Sequence, residues 1–297
     1  MKKALLSFLI LGLAAVLTAQ DRPGPKVFIS VDMEGIWGVV QGNQTSPDSP
    51  EYGAARKWMA EDVNAVVAGL LEAGAGRIVV NDSHGSMRNI IADQLNPKVT
   101  LISGSPKPLS MMEGIDASFD VCLLIGYHAQ AGTASATLDH TISGSTIRSI
   151  KINGLELPEL GINAAIAGSY NVPVIMLSGD EETCGQAKAI LGPSITAVAV
   201  KKAVGRYAAE MRPLEAARQS LSQGAREALA NRGKVKPFRL DPPYKFEVEF
   251  HNSGQAEMPS LLPQVKRTGA RSVAFSAGDY IEGFKLMRAV IALAGIS

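Results

Sequence analysis

The chain has 297 residues, with 29 Lys+Arg against 28 Asp+Glu and a formal net charge of +1. Near-neutrality excludes the basic footprint of a nucleic-acid binder, and two cysteines without metal-ligand spacing, Cys122 and Cys184, exclude a cysteine-based metal module. The length suffices for one large α/β domain, or one domain with a smaller appendage, around a sizeable core.

Met1-Lys2-Lys3 is a basic start, Leu5 to Leu17 is almost wholly apolar, and Leu17-Thr18-Ala19 offers a small-residue cleavage site. Residues 1–19 therefore read as a secretory signal, and the apolar run is short for a membrane span. The expectation is a mature chain starting near Gln20 or Asp21, exported, most simply to a bacterial periplasm, with no stable membrane insertion after cleavage. A retained N-terminal anchor is the competing reading.

From residue 26 to 180, short apolar runs alternate with helical stretches. Lys26 to Val31 predicts a strand, Tyr52 to Ala73 a helix ending at Gly74, and Arg77 to Val80, Val99 to Ser103, Val121 to Ile125 and Val172 to Leu177 further strands. Pro158 to Ala167 reads as a helix with proline at its first position. Continuous apolar strands between helices predict a mostly parallel central sheet covered on both faces. Gly42 to Pro50 is a Ser/Pro-rich loop of the kind that borders an active site. Cys122, within an apolar run, is expected to be a buried small hydrophobe. After Gly192 the texture changes: Glu210 to Asn231 reads as a helix, Tyr244 to His251 and Ser272 to Phe275 as strands, and Asp279 to Ala294 as a last amphipathic helix. The reading is an α/β metal-binding domain over 20–192 and a smaller α+β part over 193–297.

Polar residues follow the apolar runs directly. Asp32 and Glu34 are two apart, so in an extended segment both carboxylates leave one face, an arrangement that invites a cation and is also met in ordinary solvated strand ends. His84 and His128 occupy the same kind of strand-to-helix loop, and in an open parallel sheet such loops meet outside the carboxyl ends of the strands. Imidazoles among carboxylates form a normal zinc ligand set. Asp82 and Ser83 beside His84 form no hydrolase triad, because triad members meet in space rather than in sequence. Glu159 is an acid in the first turn of a helix, favoured there in any case. By pattern alone His140, in a Ser/Thr/Gly-rich segment, reads as a surface residue, and His251 as structural or exposed.

The strings Ser-Val-Asp-Met-Glu-Gly (30–35), Val-Asn-Asp-Ser-His (80–84), Leu-Ile-Ser-Gly (101–104), Gly-Tyr-His-Ala (126–129), Glu-Leu-Gly-Ile-Asn (159–163) and Gly-Gln-Ala-Glu (254–257) resemble the DppA-type zinc-dependent D-aminopeptidase family, in order from about residue 26 to the C-terminus. The resemblance implies two zinc ions per chain, ligated by Asp32, Glu34, His84, His128 and Glu159 with Asp32 bridging, and His140 as the catalytic residue. It also implies a ring-like homo-oligomer and hydrolysis of short peptides such as D-Ala-D-Ala. An L-peptidase or another amidohydrolase would share the metals, and an exported solute-binding protein is the reading from a different class; a passive binder, however, needs no activated water.

Overall fold

The computed structural model describes residues 24–296; the segment expected to be a secretory signal lies outside them. In chain order, β1 (Val27–Val31) is followed by a one-turn helix α1 (Gly42–Thr45), the long α2 (Tyr52–Glu72), β2 (Ile78–Asp82), β3 (Val99–Ile102) and β4 (Val121–Ile125). Then come β5 (Ile147–Ile152), β6 (Leu155–Glu156), α3 (Glu159–Ser169), β7 (Val174–Asp180), α4 (Glu181–Leu191), β8 (Thr196–Gly205) and β9 (Ala208–Met211). The chain finishes with α5 (Leu214–Ala230), β10 (Tyr244–Phe250), β11 (Lys266–Gly269), β12 (Ser272–Ala277) and α6 (Tyr280–Ala294). No helix among the described residues is long and apolar enough to cross a membrane.

The main sheet has the order β3-β2-β1-β4-β7-β8-β9, parallel except for the β8–β9 hairpin at one edge. Strand β1 is buried at all five positions, as a strand covered on both faces must be. Val27, Ile29 and Val31 face a core shared with Val63 and Leu70 of α2 and Leu221 of α5. Phe28 faces the other core, with Leu160 of α3, Phe246 of β10 and Phe284 of α6. The expected fold, a mostly parallel sheet flanked by helices with an antiparallel part beside it, is the one found. Cys122 is fully buried and both cysteines are free.

A second, antiparallel sheet has the order β11-β12-β10-β5-β6. The change of texture at Gly192 does not separate the two sheets. Strands β8 and β9 from beyond it complete the main sheet, and β5 and β6 from before it complete the second. Residues 210 and 211 are strand rather than helix, because the chain first turns back on β8, and Arg212-Pro213 then interrupts before α5 begins. The patternless stretch from Gly42 contains α1, whose first turn is tied back by the Gln44 side chain accepting from the amides of Val40 and Gln41.

From β1 the chain moves outward through β2 to β3 and then returns to lay β4 on the other side of β1. That reversal places a switch point between β1 and β4, where the loops leaving their carboxyl ends diverge and open a crevice. Here the two loops touch: the amide of Gly35 donates to the Gly126 carbonyl at 2.7 Å. A Cβ at Gly35 would fall 2.0 Å from the Tyr127 carbonyl oxygen. Close backbone approach, rather than a left-handed turn, is what requires glycine at 35.

Candidate metal centre

Asp32 and Glu34 leave the end of β1, His84 the end of β2, and His128 the end of β4, while Glu159 opens α3. The fold brings all five together. Asp32 Oδ1 lies 3.3 Å from His84 Nδ1 and Oδ2 lies 3.4 Å from His128 Nε2. Glu34 Oε2 is 3.0 Å from His84 Nδ1, and Glu159 Oε1 is 3.2 Å from His128 Nε2. The ligand-capable atoms of Asp32, Glu34 and His128 all lie within 4.8 Å of one another. Those of His128, His140 and Glu159 form a second such group.

His140, on a loop far from any predicted strand end, stacks on His128 with ring centroids 3.8 Å apart and planes 14° from parallel. Its Nε2 is 3.6 Å from Glu159 Oε1. By geometry alone it meets the same proximity requirement as His128 and Glu159. It differs in exposure: its side chain is 20% accessible against 1% for His128. His251 is exposed and lies just past the end of β10, in keeping with the reading of it as structural or exposed.

Each imidazole is oriented by a backbone carbonyl, which can only accept. His84 Nε2 donates to Thr45 at 3.0 Å, His128 Nδ1 to Ala129 at 3.1 Å and His140 Nδ1 to Leu138 at 2.9 Å. The opposite nitrogen of each ring is thereby turned toward the carboxylates, as in metal sites where a ligating histidine spends its far N–H on a carbonyl. Thr45 belongs to α1, which gives the Ser/Pro-rich loop its place in the site.

Asp32, Glu34 and Glu159 are each 5% exposed or less, and three carboxylates at such range repel. Burial and the adjacent Glu34 raise the Asp32 carboxyl to about 7. Burial also works against charge on His128, yet Glu159 and Asp32 outweigh it and hold the ring at about 10. His140 is pushed the other way, below the ordinary histidine value, by burial and by the neighbouring His128. His128 Nε2 is fully buried and lacks hydrogen-bond geometry to either carboxylate that flanks it. An orphaned nitrogen between converging carboxylates fits a divalent metal, and the donor set of carboxylate and imidazole is one zinc accepts.

Behind these residues stands a layer that sequence reasoning missed. Asp82 is fully buried and accepts from the amides of Asn89 and Ile90 at 2.6 and 2.7 Å, while Asn89 Nδ2 reaches the His84 carbonyl at 2.7 Å. The Ser83 hydroxyl hydrogen-bonds with that of Ser30. Lys201, fully buried in β8, donates to the carbonyls of Glu34 and Ile36 at 2.6 and 3.0 Å and to that of Val39. It pins the loop that presents Glu34, and each buried acceptor left unmet without it would cost about 1–3 kcal/mol. The available signal was a lysine inside the apolar run from Val198. The site opens into a cavity of about 150 Å³ lined by Asp32, His84, Met111, His140, Glu159 and, from α6, Arg288.

Residues 26–289 match the model of the D-aminopeptidase family, peptidase M55. A D-aminopeptidase from Bacillus subtilis (strain 168) is 38% identical over 272 residues, 91% of this chain and 97% of that protein. The solved structure of the Zn-dependent D-aminopeptidase DppA from Bacillus subtilis, described as a self-compartmentalizing protease, is similar with a TM-score of 0.89 at 36% identity. That likeness covers 92% of this chain and 98% of the other.

Proposed function

The chain belongs to the D-aminopeptidase family, and from that premise we propose that it is a dinuclear zinc aminopeptidase that removes the N-terminal residue of short peptides, D-Ala-D-Ala among them. Membership makes it a metallopeptidase, and its relative's zinc dependence supports zinc as the metal. The observation that carries the dinuclear reading is Asp32, whose two oxygens face two different histidines. Glu34 and His84 lie on one side of it, His128 and Glu159 on the other. In this reading Glu34 and His84 would hold one ion, His128 and Glu159 the other, and Asp32 would serve both.

Bound zinc supplies a Lewis acid and a water made nucleophilic near neutral pH. The chain's own residues do the rest. His140, its Nδ1 committed to Leu138, presents Nε2 to the cavity and carries a proton between the attacking and departing groups, a role worth about 10²–10⁴-fold. Its greater accessibility among the site histidines supports a place beside the substrate rather than in the ligand shell.

The expected result is hydrolysis of D-Ala-D-Ala in preference to L-Ala-L-Ala by protein holding close to two zinc ions per chain, with loss of turnover on chelation and recovery on zinc addition. Elemental analysis and a dipeptide assay on one preparation check it. Preference for the L-peptide would assign the other stereochemistry, and metal-replete protein without turnover would remove the enzyme reading.

Export and assembly belong to the same proposal. The family match starts at residue 26, which supports reading the preceding segment as separate from the enzyme. Intact mass of native material is expected to place the first residue near Gln20 or Asp21; a retained Met1 would restore the anchor. Val204 and Tyr207, 73% and 56% exposed on the β8–β9 hairpin, offer apolar surface to a second copy, consistent with a ring-like homo-oligomer whose native mass is a multiple of the chain's.

A further inference from the structure

Arg288 projects from α6 into the cavity that holds the acidic cluster. The residue is half-buried, and its guanidinium takes part in no hydrogen bond or ion pair among the described residues; the nearby Glu159 is engaged instead by His128, His140 and the amide of Ile142. A partly desolvated guanidinium with its donors unspent is unusual, because burying charge without a partner is costly. Among the described residues it is also the cavity's sole lysine or arginine, set against a wall of Asp32 and Glu159.

A short peptide ends in a free carboxylate, a group that can answer such a guanidinium. A space of about 150 Å³, if roughly equidimensional, is about 7 Å across, close to the span of two extended residues at ~3.5 Å each. Resting on the peptidase reading above, we propose that Arg288 receives the free C-terminal carboxylate of the substrate, setting the enzyme's preference for dipeptides over longer or C-terminally blocked peptides. Guanidinium presents paired N–H donors that match a carboxylate bidentately. With the carboxylate held by Arg288, the single peptide bond of a dipeptide lies toward the side of the cavity walled by Asp32, His140 and Glu159. A longer peptide would bring a neutral peptide group to the guanidinium and forfeit that pairing.

The test uses the zinc-replete full enzyme with D-Ala-D-Ala and its C-terminal amide, in wild type, Arg288→Met and Arg288→Lys. Wild type is expected to favour the free acid by about 10–100-fold in kcat/KM, the range of one charge-assisted pair, mainly through KM, since the contact persists from ground state to transition state. Arg288→Met should bring the ratio of acid to amide in kcat/KM down to about one, chiefly by raising KM for the acid, and Arg288→Lys should recover part of the preference. Equal treatment of acid and amide by wild type overturns the proposal, and so does an Arg288→Met variant in which both substrates decline together with zinc retained. The wild-type comparison needs no variant to fold. Turnover of neither peptide by zinc-replete wild type would instead remove the peptidase reading on which the proposal stands.

Discussion

Asp32→Ala is expected to leave the protein folded and without zinc, with kcat/KM lowered by at least about 10³-fold, since even residues that merely orient ligands cost ~10–100-fold when removed. Asp32 is the group whose two oxygens reach toward both halves of the site, at 3.3 Å to His84 and 3.4 Å to His128. Each ion would lose a ligand and the two would lose their shared one. The fold has little reason to suffer: among the described residues the carboxylate's hydrogen-bond partners are its neighbour's amide, Met33 at 2.9 Å, and His84, and removing it relieves the burial of charge and the repulsion with Glu34 that raise it toward neutrality. Glu34→Ala and Glu159→Ala each strip one side of the site and should weaken zinc retention less. Elemental analysis beside circular dichroism makes the comparison. Full metal occupancy in Asp32→Ala would show that the carboxylate does not span two ions.

His140→Ala should keep both zinc ions and the fold and lower kcat by about 10²-fold or more, with KM for D-Ala-D-Ala little changed, as for a group that acts in the transition state. The loss of its ring uncovers one face of His128, but His128 keeps its own anchor on the Ala129 carbonyl. His84→Ala and His128→Ala should lose zinc together with activity. Proximity to Glu159 leaves His140 geometrically able to ligate, so the metal content of the variant is the deciding number. Zinc loss would move His140 into the ligand shell, and wild-type turnover with zinc retained would assign proton transfer to another group.

Much of the site is written in local sequence order. Asp32, Glu34, His84 and His128 are legible because each follows an apolar run that could only be a strand buried on both faces, and parallel strands deliver their carboxyl ends to one edge. Glu159 is legible as the first turn of a helix. Strand β5 is not, since Ile147, Ile150 and Ile152 match neither the period of two nor that of 3.6; cross-strand pairing with β10 makes it a strand. The pattern also changes at Gly192, but the chain exchanges strands across that point, and strand order is a property of pairing rather than of composition.

His140 reads as a surface residue on pattern, and only the resemblance singles it out; the stacking on His128 is made by a loop whose path is set by the elements around it. Lys201 pins the Glu34 loop from 167 positions away, and Arg288 enters the cavity from the last helix. Sequence alone determined which strands and helices form near the centre and which ligand-type side chains they carry, because hydrophobic periodicity and capping act over a few residues. Which loop folds over those ligands, which cation holds their backbone and which cation faces the substrate were decided by the tertiary structure, because hydrogen bonds and charges act across space between segments whose separation in the chain says nothing of their distance.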